Sequence, residues 1–113
     1  MRRAAAVYYD EVLAGYLKET ADGEYTFQYD KNYIVNHPDQ FITFSMPVND
    51  HIYHDKRLFA FFEGLIPEGW LLDIASKNWK IDPNDRMGLL MVCCQNCIGA
   101  VSVKPVSNER EDE

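Results

Sequence analysis

Three cysteines, at 93, 94 and 97, and two histidines, at 51 and 54, have the types and spacing that could do chemistry. Cys94-Gln-Asn-Cys97 has the spacing of a redox or metal-binding pair. A redox pair wants its first thiol at a helix N-terminus, where the dipole favours the thiolate. Here the pair follows the apolar run 87–92, so it stands at the C-terminal end of an expected helix, where the dipole opposes the thiolate. A structural zinc site needs four ligands, and the chain has a single CxxC. Buried structural thiols are therefore expected, and no metal or other cofactor. His51 and His54 lie between Asp50 and Asp55 at metal-compatible spacing, but in a stretch read as a polar loop, where solvated side chains are the expectation. There is no Gly-rich phosphate loop, no GxSxG turn and no HExxH, and no pair stands out among the 18 acidic residues. The chain reads as a binding protein rather than an enzyme.

The stretch best suited to binding is 61–70, FFEGLIPEGW. Pro67 fixes its own φ and turns Ile66 away from α geometry, so a helix should end there. Glu68 and Gly69 then lead into a second helix with Trp70 in its first turn. Phe61, Phe62, Leu65 and Ile66 are expected to brace the helices against a sheet, and the residues after Pro67 to face outward. Tryptophan is enriched at binding hot spots, which makes an outward indole a candidate anchor. Trp70 and Trp79 are nine positions apart, about 2.5 helical turns. On one straight helix they face opposite sides, and the sequence does not choose which is outward.

The elements that must position these residues follow from pattern. Strands are expected at 4–9 and 12–17 around a turn at Asp10 and Glu11, and at 25–29 after the turn Ala21-Asp22-Gly23. In the third strand Tyr25, Phe27 and Tyr29 share one face by the period of two. A short helical piece or turn is expected within 30–40, a strand at 41–46 stopped by Pro47, a polar loop at 49–56 and a helix at 58–65. Further helices are expected at 71–79 and over 87–92, the latter capped by Asp82 or Asn84, before a closing strand at 98–103. The fold class is α+β: a single small domain over 1–106, with an antiparallel meander (possibly barrel-like) packed against two to three helices from the second half. Residues 107–113 form a charged tail.

Composition bounds the function. A chain of 113 residues supports one domain, burying roughly two-thirds of its unfolded surface. A formal charge of -7 disfavours direct binding to nucleic acid or anionic membrane and suits a basic protein partner. No apolar run approaches the ~20 residues needed to span a bilayer. The apolar run behind Arg2 and Arg3 ends at Asp10 and Glu11, unlike a secretory signal, and three clustered cysteines give no disulfide framework; a cytoplasmic location is expected.

The succession GEYTFQYD, ITFSMPV, FFEGLIPEGW and IGAVSVKP resembles, in this order, the N-terminal subdomain of HipA-type serine/threonine kinases, over about residues 4 to 106. The kinase body of those proteins is not represented: the sequence has no HRD-like or DFG-like segment, so kinase activity is not expected of it. A free-standing subdomain of this kind is similar to the HipS antitoxins of HipBST toxin–antitoxin systems. That resemblance implies a HipT-like kinase toxin as partner, inhibited by docking near its active site, with a HipB-like protein supplying DNA binding. On that reading the residues expected to make the contact are Glu63, Pro67, Glu68, Gly69 and Trp70, with Trp70 inserted, Pro67 and Gly69 shaping the turn and Glu68 facing basic phosphate-binding residues. The alternative is a regulatory subdomain of a full-length HipA-type kinase with a dimer-bridging role.

Overall fold

The computed structural model describes residues 3–66, 68–69, 77, 82–94 and 100–106. Five strands form one antiparallel sheet: β1 (Arg3–Tyr9), β2 (Val12–Glu19), β3 (Tyr25–Tyr29), β4 (Tyr53–Asp55) and β5 (Val101–Pro105). Their order is β4-β3-β2-β1-β5, so the sheet is open, with β4 and β5 at its edges. Three helices are delimited among the described residues: α1 (Lys31–Asn36), α2 (Ala60–Glu63) and α3 (Arg86–Cys93). One of them, α1, lies in the first half of the chain. The expected α+β fold with an antiparallel meander is what forms. The expectations for a helix at 71–79 and for the tail at 107–113 lie outside the described residues.

The meander follows local chemistry. Asp10 and Glu11 both have positive φ, at 51° and 69°, which is the two-residue hairpin geometry whose twist matches the strands. Between Val7 and Tyr8 the pairing with β2 shifts register, which leaves Ala14 as the extra residue of a bulge. Gly15 then faces Val7 on one side and Tyr29 on the other. On β3 the alternation holds: Phe27 and Tyr29 are buried and Tyr25 is partly covered. Their face carries the core, with Ala5 and Val7 of β1, Leu17 of β2 and Val103 of β5, each fully buried. The helices supply the other half: Tyr33 from α1, Phe62 from α2, and Met87, Leu89 and Leu90 from α3.

A charged clasp ties the sheet to α3. The Arg3 guanidinium donates to both carboxylate oxygens of Glu19, at 2.7 and 3.0 Å, and to both of Asp85, at 3.0 and 2.8 Å. Asp85 is also the N-cap of α3, accepting from the Gly88 amide at 3.2 Å. The cap is therefore Asp85 and not Asp82 or Asn84. Asp82 instead accepts from the Asn84 amide at 2.9 Å, which forms a turn one step earlier. Pairing with both carboxylates raises the Arg3 pKa further, and lets Glu19 be buried without an uncompensated charge.

The expected strand at 41–46 does not form. A strand would put Ile42, Phe44 and Met46 on one face. Instead Ile42 and Met46 are buried while Phe44 is 88% exposed, and the Met46 amide closes a turn onto the Thr43 carbonyl at 3.0 Å. The place beside β3 goes to β4, inside the stretch read as a polar loop, through the pairs Tyr25 with Asp55 and Phe27 with Tyr53. Three tyrosine hydroxyls hold the long connection instead of a ladder. Tyr29 donates to the Met46 carbonyl, Tyr33 to Gln40 at 2.6 Å and Tyr53 to Pro47 at 2.6 Å. The Tyr29 oxygen also accepts from the Ile42 amide at 3.1 Å, so one phenol fixes both ends of 42–46.

Burial pushes the Tyr29 hydroxyl up to about 12, with the Ile42 amide pulling the other way. The folded chain keeps this phenol neutral while the unfolded chain ionises it near the ordinary value of about 10. Its stabilisation is therefore complete below pH 10 and is lost as the pH rises towards 12. Alkaline unfolding should begin in that window and coincide with phenolate absorbance. In Tyr29→Phe, which starts from a lower stability, the slope of stability against pH above 10 should be smaller.

Candidate partner-binding site

The sequence around 58–66 folds into a single helical turn rather than the eight-residue helix expected. Phe59 is its N-cap and provides no side-chain cap, so nothing extends the helix backwards; Gly64 is the C-cap. Beyond it the chain tightens, with Leu65 N–H donating to Phe62 O at 3.0 Å and Ile66 N–H to Glu63 O at 3.2 Å. Phe62 is fully buried and Ile66 is 3% exposed, with Phe61 and Leu65 partly covered, so this half of FFEGLIPEGW is the expected brace. The Phe62 ring meets Phe27 of β3 at 5.9 Å, Phe59 at 6.2 Å and Phe61 at 5.2 Å.

An ion pair and a thiol hydrogen bond join this segment to α3. Glu63 is gripped by the Arg86 guanidinium, with Nη2 to Oε1 at 3.0 Å and Nε to both oxygens at 3.2 Å. The Cys94 thiol, fully buried at the C-cap of α3, donates to the Leu65 carbonyl at 3.1 Å. Cys94 thus has the structural place expected of it, whereas Cys93 is partly buried and Cys97 lies outside the described residues. The chain is held on both sides of Gly64 before it reaches Glu68 and Gly69, which are exposed. Gly69 has φ +65°, and a Cβ there would meet nothing within 4 Å. Glycine is favoured at 69 by its left-handed backbone and not by crowding.

Of the five residues named from sequence, Glu68 and Gly69 are at the surface on this anchored segment. Glu63 is half-covered and already engaged by Arg86, so it serves the base of the segment. Pro67 and Trp70, and likewise Trp79, lie outside the described residues. The histidines do not converge. His54 is on β4, with Nε2 2.6 Å from Glu24 Oε1, and His51 is solvent-exposed, 3.9 Å from Asp50. Among the described residues no group of three or more His, Cys, Asp or Glu could hold a metal ion, and no helix is long and apolar enough to cross a membrane.

Sequence reasoning missed one surface feature, the aromatic pair Phe41 and Phe44, whose ring centroids are 5.1 Å apart. The signal available was Pro47 behind an apolar run with polar Thr43 and Ser45 on either side of Phe44.

The structure is thus a small α+β domain whose open antiparallel sheet carries an anchored α2 segment, beyond which Glu68 and Gly69 are exposed. The family described as the HipA N-terminal domain matches residues 5–104, and the chain belongs to it. The match is to that domain and not to a kinase catalytic domain. A solved structure, the N-terminal domain of HipA toxin, has the same fold, with a TM-score of 0.72 over 95% of both chains at 24% identity. An uncharacterized protein of Haemophilus influenzae is 32% identical over 63 residues, which are 56% of this chain and 59% of that one.

Proposed function

We propose that this chain is a HipS-like antitoxin that binds and inhibits a small HipA-like serine/threonine kinase toxin of the HipT kind. It docks near the kinase active site, within a complex that includes a HipB-like DNA-binding protein. The observation that carries the reading is the match to the HipA N-terminal domain over residues 5–104. A domain that belongs beside a kinase body in cis is suited to occupy the same position in trans. The net charge of -7 supports it, because an acidic protein is steered towards the basic, phosphate-binding mouth of a kinase.

In this reading Trp70 is the inserted anchor, Pro67 and Gly69 set the turn, and Glu68 faces basic phosphate-binding residues. Glu63 holds the base through Arg86. Desolvating an indole in a pocket is worth a few kcal/mol, roughly 2–4. Trp70→Ala should keep the domain folded and lose protection of cells expressing the kinase. Full protection by that variant would remove the anchor role. The wider test is co-purification with the products of adjacent genes, followed by a kinase assay with and without the chain.

The structural likeness to the N-terminal domain of HipA toxin supports a second reading, a regulatory subdomain of a full-length HipA-type kinase that bridges dimers. The neighbouring reading frames separate the two. A distinct kinase gene lacking this domain favours the antitoxin, and an in-frame kinase body favours the subdomain.

A further inference from the structure

Phe44 is 88% exposed, yet the loop that carries it is fixed. Ile42 and Met46 on either side are buried, and the Tyr29 hydroxyl bonds to the backbone of both. The Phe41 ring lies against it, tilted by 38° with centroids 5.1 Å apart, so the exposed ring has restricted freedom to fold back. A large apolar side chain held out on a rigid support loses little conformational entropy on binding, which is the property of an anchor. The loop and the α2 segment also line one hollow, with Ser45, Met46, Asp55, Phe59 and Phe61 in its wall. Its only lining residues able to carry a charge are Asp55, exposed to solvent, and His54, which already faces Glu24 at 2.6 Å. An apolar tip beside a hollow that carries the Asp55 carboxylate, on a protein of charge -7, fits a basic surface better than a second copy of itself, although Lys56 and Arg57 follow Asp55 in the chain.

We propose that Phe44, backed by Phe41, is a second anchor for the same kinase partner. It enters an apolar pocket there while a lysine or arginine of the partner reaches Asp55 in the hollow. This rests on the reading of the chain as a kinase-binding protein and extends the contact from Glu68 and Gly69 across α2 to the loop. Because Phe44 is exposed and Asp55 is at the sheet edge, neither substitution removes core packing.

The test is affinity for the purified kinase from the adjacent gene, measured by calorimetry for the full chain and for Phe44→Ala, Asp55→Asn and Lys104→Ala. Lys104 is on β5, at the opposite edge of the sheet from β4. Phe44→Ala should weaken binding by about tenfold or more. Asp55→Asn should weaken it by about threefold to tenfold and flatten its salt dependence, while Lys104→Ala stays within about twofold of the parent. If the parent chain binds and both loop variants bind within about twofold of it, the second anchor is wrong and kinase binding stands. If the parent chain does not bind the kinase, the kinase-binding reading fails and this one with it. If the parent chain is a dimer that Phe44→Ala dissociates without loss of kinase affinity, the occupant is a second copy, and the proposal is overturned.

Discussion

Phe62→Ala should destabilise the domain by about 3–5 kcal/mol, the range for emptying a buried phenylalanine site. Phe62 is fully buried and its ring touches Phe27, Phe59 and Phe61. It is the point where the one-turn helix α2 is fastened to β3, and the backbone around it is fixed by Glu63–Arg86 and by Leu65–Cys94, so the cavity has little freedom to collapse. Domains of this size have about 5–15 kcal/mol in all, so the loss would take a large share. Urea unfolding should show a much lower midpoint with an unchanged slope. A midpoint shifted by the equivalent of less than about 1 kcal/mol would show that α2 is not the brace. Lost partner binding in this variant would then follow from unfolding, in contrast to Trp70→Ala.

The second large effect is at Gly15, for the opposite reason. A Cβ built there lies 2.4 Å from the Gln28 carbonyl oxygen, 2.9 Å from the Tyr29 Cα and 2.9 Å from the Phe27 Cζ. Two of those atoms are backbone of the neighbouring strand, so relief requires β2 and β3 to separate where they are paired. Gly15→Ala should therefore cost about 3 kcal/mol, at the upper end of the range for overpacking. Hydrogen exchange should be faster at the β3 amides facing β2, and the melting temperature should fall. An unchanged melting temperature would mean that the strands accommodate a methyl group, which the close backbone approach does not allow.

The meander was legible because its signals are local. Alternation in 25–29, the turn at Asp22-Gly23 and the short turn at Asp10-Glu11 all act within a few residues, and all appear in the sheet. Cys94 was legible as a buried thiol because it closes a helix with a clear apolar face. The misreadings were non-local. Ile42, Phe44 and Met46 have strand spacing, but the Tyr29 hydroxyl, 13 residues from Ile42, decides their geometry. The three-residue strand β4 has exposed His54 and Asp55 and is made a strand only by its partner β3. At the site, the turn glycine was readable from its type, and the structure gives it positive φ. That Glu63 would be held by Arg86, 23 residues on, was not readable, and neither was the outward turn of Phe44.

The claim that this HipA N-terminal domain acts on a kinase in trans is tested most directly by titration. Phosphorylation by the purified kinase from the adjacent gene is followed as this chain is added at increasing ratio. Kinase activity should fall to background near stoichiometric addition, and Trp70→Ala should require a large excess. Undiminished phosphorylation at saturating amounts of the folded chain would contradict inhibition in trans.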